Sequence, residues 1–129
     1  EESGQLNLYE GVDSGFCKEL GFDLLLVDGH TEKMALPMVE YKGQSILFTS
    51  DLVPTAGHIP VPYLMGYDVR PLTTMEEKSK ILKNCLENET LLFLQHDPYN
   101  ELVSLTNTDK GVRLENSSSL NDFFHDETA

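Results

Sequence analysis

Ile46-Leu47-Phe48-Thr49-Ser50-Asp51 is the stretch on which the reading of this chain turns. It is an apolar run of strand composition that passes through two hydroxyls and ends on one carboxylate. Upstream, Phe22-Asp23-Leu24-Leu25-Leu26-Val27 reads as a strand closed by the turn dipeptide Asp28-Gly29, and His30 follows at once. Downstream, Thr90 to Leu94 reads as a buried strand, and Gln95-His96-Asp97 follows it. Lone-pair side chains therefore stand at the ends of three hydrophobic runs. This places His30, Asp51 and His96 at the rim of one sheet, where they can converge on a cation. Imidazole nitrogen and carboxylate oxygen are donors that zinc and similar ions favour. An aspartate can bridge two cations through its two oxygens, but three residues cannot complete two coordination shells. The set reads as half of a metal site whose remaining donors lie elsewhere.

Working outward, Ala35 to Tyr41 and Gln44 to Thr49 form a hairpin about Lys42-Gly43, with Pro37 expected at a strand start or on an edge. Leu52 to Val69 is rich in Pro and Gly and reads as a long structured loop walling a pocket, with a short helix over Val61 to Met65. The clearest helix is expected to start at Thr73, capped by a Thr73–Glu76 box, and to end at Asn88-Glu89. Met75, Lys78/Ser79, Leu82, Cys85 and Leu86 share one face; Glu76, Glu77, Lys80, Lys83 and Glu87 take the wet side. A last hairpin joins Glu101–Thr106 to Gly111–Glu115. At the N-terminal end, Gln5 to Tyr9 alternates like a strand, and Ser14 to Leu20 can make one helical turn. Residues 116–129 form an acidic tail in which Phe123-Phe124 can dock as a short helix. The sum is one α+β domain over residues 1–129: a mixed sheet with one long helix on one face and the second face left uncovered.

Composition narrows the function classes. The 129 residues carry 22 acidic against nine basic side chains, a formal charge of −13, which repels a polyanion and argues against nucleic acid. Cys17 and Cys85 form no CxxC pair and read as two thiols. No apolar run approaches the ~18 residues of a membrane span, and no basic-then-apolar leader is present. A cytoplasmic location is the expectation. Asn88-Glu89-Thr90 and Asn116-Ser117-Ser118 match the glycosylation triplet and are read as chance. The first residue is Glu1 rather than Met, read as a cut, processed or engineered end.

Gly29-His30-Thr31, Phe48-Thr49-Ser50-Asp51-Leu52 and Leu94-Gln95-His96-Asp97 resemble, in order, the third, fourth and fifth metal motifs of the metallo-β-lactamase fold. Gly66-Tyr67-Asp68, followed by a proline and the helix, is similar to its lactonase-like branch. The resemblance covers roughly residues 5–115. It implies half of an αββα sandwich and a binuclear site holding zinc, or iron or manganese. It also implies a hydrolase in which a metal-activated hydroxide attacks an ester, lactone, thioester, amide or phosphoester of a small-molecule substrate. By this likeness His30 binds one metal, Asp51 bridges both and His96 binds the other. His58 is a candidate for a substrate contact or a partner of the ligands, and Tyr63, Tyr67 and Tyr99 are candidates for polarising a carbonyl. The sequence departs from the pattern in three ways. The His-x-His-x-Asp-His cluster is absent, the only histidines being His30, His58, His96 and His125. Ser50 replaces the usual glycine before the bridging aspartate, and Glu32-Lys33 follows His30-Thr31 where small residues are common. The chain alone therefore carries no complete catalytic set. It is expected to be inactive by itself, with the missing N-terminal half or a second copy as its partner. The alternative is a non-catalytic interaction module with vestigial ligands.

Overall fold

The computed structural model describes residues 3–5 and 15–125. The strand expected over Gln5 to Tyr9 lies outside the described residues but for Gln5, as does the last part of the tail. The elements in order are α1 (Gly15–Glu19), β1 (Phe22–Val27), β2 (Met34–Tyr41), β3 (Gln44–Phe48), α2 (Pro71–Glu87), β4 (Leu91–Phe93), β5 (Leu102–Thr108), β6 (Gly111–Ser118) and α3 (Leu120–His125).

The six strands among the described residues form one sheet in sequence order. All neighbours are antiparallel except β3 and β4, which run parallel across the α2 crossover. The parallel pair needs that long connection, and it brings the ends of β3 and β4 out on the same rim as β1. Register follows the apolar pattern. Leu25 pairs with Leu36, Met38 with Leu47, Leu47 with Leu92, and Leu92 with Val103. These side chains share one face, on which Leu82 and Cys85 of α2 close the main core. Leu36, Leu47 and Leu92 are completely buried. Each is worth about 1.5–3 kcal/mol in burial, so a one-residue slip would turn the core outward.

Four sequence expectations need correction. Pro37 is neither at a strand start nor on an edge: it sits inside β2, an interior strand. The rungs shared with β3 cover only Met38 to Tyr41, so its missing N–H costs no rung there. Residues 61–65 form no helix; the helical turn in the loop is a 3-10 turn at Ala56–His58. The Thr73–Glu76 capping box does not form. Pro71 opens α2 two residues earlier, Arg70 occupies the cap position and no side chain caps it. The second sheet face is not bare either. Leu120 and Phe124 of α3 pack against Ile46, Leu91 and Leu102, while Val39 and Tyr41 stay exposed.

Candidate metal centre

Each strand end is held by its own set of bonds. After β1, the Glu77 carboxylate accepts the N–H groups of Asp28 and Gly29, both at 2.8 Å. Gly29 is required for a steric reason: a Cβ there would overlap Thr74 of α2. Val69 N–H donates to the His30 carbonyl at 3.2 Å and Arg70 N–H to that of Gly29 at 2.8 Å. His30 is thereby buried against the start of α2.

After β3, Thr49 N–H follows β4 for one more bond, to Phe93 O at 3.2 Å. Its hydroxyl donates to Val53 O at 2.7 Å, closing a tight turn around Asp51. Ser50 has a φ of +47°, the left-handed conformation that favours glycine. Its hydroxyl donates to Ala35 O at 2.9 Å, where the β2–β3 rungs have stopped, and offsets that conformational cost. After β4, His96 N–H donates to Pro54 O at 3.0 Å. The neighbouring Asp97 accepts N–H groups from Ala56, Tyr99 and Asn100. Burial pushes the Asp97 carboxyl upward, but these bonds and the Asn100 side chain outweigh it and hold it below the usual carboxylate range.

The three rims meet at Asp51. His30 Nε2 lies 3.1 Å from its Oδ2 and His96 Nε2 lies 3.0 Å from its Oδ1. Oδ1 is buried and its contact with His96 lacks hydrogen-bond geometry, so it remains an unsatisfied acceptor. The far nitrogen of His30, Nδ1, is 2.7 Å from Asp68 Oδ1, and the Tyr67 ring stands edge-on to the imidazole at 5.9 Å. Among the described residues no three His, Cys, Asp or Glu side chains close around one point as a complete metal cage. The two imidazoles approach different oxygens of one carboxylate.

The other candidates lie differently. His58 is on the 3-10 turn, bonded through Nδ1 to the Thr55 hydroxyl at 2.8 Å and not joined to Asp51. Burial first, and then the Lys78 charge, push its imidazole below the ordinary histidine range, against the pull of Asp68. Tyr63, Tyr67 and Tyr99 are all exposed, and of the three only Tyr67 has a ring contact with a site residue, edge-on to His30. His125 lies on α3, beside Val39 and Tyr41 of the other sheet face. Two residues escaped the sequence reading. Asp68 was visible only as part of a triplet. Lys78 was visible as a cation on the apolar stripe of α2, and it is fully buried with Nζ donating to the carbonyls of His58, Pro60 and Tyr63.

No family model and no curated protein matches the sequence. Solved structures do. A probable metal-dependent hydrolase from Staphylococcus aureus superposes with a TM-score of 0.72 at 19% identity, over 91% of this chain and 42% of that one. AidC, a dizinc quorum-quenching lactonase solved with the product N-hexanoyl-L-homoserine, gives 0.74 at 17%, over 92% and 40%. AbOPH, a hydrolase of the β-lactamase superfamily, gives 0.66 at 22%, over 77% and 35%. The chain spans about two fifths of the length of the proteins it resembles. At these identities the likeness is one of fold, and the conclusion is that this chain has the fold of part of a metallo-β-lactamase-type metal-dependent hydrolase.

Proposed function

We propose that the chain is the C-terminal half of a metal-dependent hydrolase, contributing His30, Asp51 and His96 to a two-metal site. The observation that carries this reading is the approach of two imidazoles to opposite oxygens of one aspartate, at 3.1 and 3.0 Å. Two donors on one tetrahedral zinc, at bonds of about 2.0–2.1 Å, stand roughly 3.3 Å apart. The spacing here suits two cations sharing Asp51, one with His30 and one with His96. The unsatisfied, buried Asp51 Oδ1 also fits, since a cation would supply its missing partner. The mixed N and O donor set suits zinc and also admits iron or manganese. When bound, such ions polarise a scissile bond and acidify water. His30, Asp51 and His96 are the residues of this chain that would hold such ions, Asp51 through both of its oxygens. The substrate class is an ester, lactone or related bond.

Each cation receives only two donors from this chain, so the chain alone is inactive. The rest of the site comes from a segment bearing the His-x-His-x-Asp-His cluster. The test is metal content after purification without chelator, set beside ester and lactone turnover, first alone and then with such a segment supplied in trans. Turnover appearing only on addition supports the reading. Turnover by the chain alone, or none under either condition, overturns it.

A second reading rests on the other sheet face. Val39, Tyr41, Ile46, Leu120 and Phe124 line an open groove between β2 and α3, a surface a second copy or another protein could cover. A dimer that persists when Asp51 is replaced and binds no metal would favour this interaction module.

A further inference from the structure

Residues 52–70 leave the sheet after β3 and return to the β1 rim. The two backbone bonds from Val69 and Arg70 to His30 and Gly29 make a bracket at the point of return. The residue just ahead of this bracket, Asp68, is thereby delivered against the His30 ring. Its side chain is only 1% exposed, and its Oδ1 sits 2.7 Å from Nδ1, a short, charge-assisted distance. Its Oδ2 is buried with no hydrogen-bond partner.

The loop that brings Asp68 there has a buried anchor. Lys78 Nζ donates to the carbonyls of His58, Pro60 and Tyr63 at 2.9, 3.2 and 2.6 Å, spending all three donors on one stretch of backbone. An ionised carboxylate can only accept, so a contact at Nδ1 puts the ring proton there. Nε2 faces Asp51 Oδ2 at 3.1 Å, but only the Nδ1 contact has hydrogen-bond geometry, so on a neutral ring the lone pair is left on Nε2.

We propose that Asp68 is a positioning residue that fixes the His30 ring with its proton on Nδ1 and its Nε2 lone pair toward Asp51, and that Lys78 holds the loop that delivers it. Its consequence for metal binding rests on the reading of His30 as a ligand; the state of the ring does not. A hydrogen-bonded carboxylate behind a ligating imidazole fixes the tautomer and strengthens the donor.

The test is a long-range ¹H–¹⁵N correlation of the imidazoles in the metal-free 129-residue chain, at a pH where His30 is neutral. His30→Gln assigns the signals. The expected spectrum has His30 protonated at Nδ1. Asp68→Ala should shift the proton toward Nε2, and Asp68→Asn, whose amide oxygen can still accept, should restore it. Zinc affinity should fall by about 10–100-fold in Asp68→Ala and less in Asp68→Asn. If Asp68→Ala does not fold, the wild-type spectrum still decides: protonation at Nε2 overturns the proposal. An unchanged tautomer in a folded Asp68→Ala chain overturns it too. If the wild type binds no zinc, the ligand assignment of His30 fails while the spectrum still tests Asp68 independently.

Discussion

Lys78 shows how much a single side chain can do from inside the fold. It has no exposed surface, and its ammonium serves three carbonyls that no other side chain among the described residues satisfies. Replacing it with methionine, which keeps the stem but removes the donors, should cost about 2–4 kcal/mol in urea unfolding. Burial also pushes its amine down to about 8, against the pull of Asp68. The folded state thus releases this proton more readily than the unfolded chain, whose ordinary value is 10.5. The penalty for holding the charge is complete below pH 8 and is relieved as pH rises toward 10.5. The stability gap between wild type and Lys78→Met should therefore widen over that window. Thiol ionisation is common to both proteins and drops out of the difference. Nothing local in the sequence distinguishes Lys78 from an exposed helix lysine except its place on the apolar stripe. Ser50 was legible only as a departure from a glycine, and its φ of +47° supplies the reason that position prefers one.

At the level of the elements, α2 does more than cover the sheet. Glu77, read from periodicity as wet, reaches back to hold the Asp28 and Gly29 amides and so fixes the approach to His30. Glu77→Ala should cost about 2–3 kcal/mol, because two amides lose a charged acceptor. A lowered thermal midpoint, with broadened His30 resonances in the NMR spectrum, would register it. Cys85, on the inner face of the same helix, has its thiol pushed up to about 11 by burial. At pH 8 the folded chain should alkylate at Cys85 at least about 100-fold more slowly than after denaturation. The strands around the three motifs were legible because their apolar runs are short and bounded by turn residues. The helix start was misread because a Thr-x-x-Glu pattern is a local signal, and Pro71 at the first helical position overrode it. The Glu77 and Asp68 contacts span 48 and 38 residues, separations that no periodicity encodes.

For the whole molecule, the order of elements was enough to anticipate a mixed sheet with one long helix on one face, whereas the parallel β3–β4 pair that this helix connects emerged only in the structure. The packing of α3 on the second face was harder to read, since two adjacent phenylalanines in an acidic tail carry no period. What the whole fold achieves is convergence: three strand ends from distant sequence meet on one carboxylate. Asp51 is therefore the residue on which the account stands. The most direct measurement is a zinc titration of the 129-residue chain by calorimetry, wild type against Asp51→Asn, with circular dichroism confirming the fold of both. The wild type should bind zinc weakly, and affinity should fall by at least about tenfold in Asp51→Asn, whose amide cannot supply the same charge to either cation. Absence of zinc binding in the wild type, or equal binding by a folded Asp51→Asn chain, would contradict this reading.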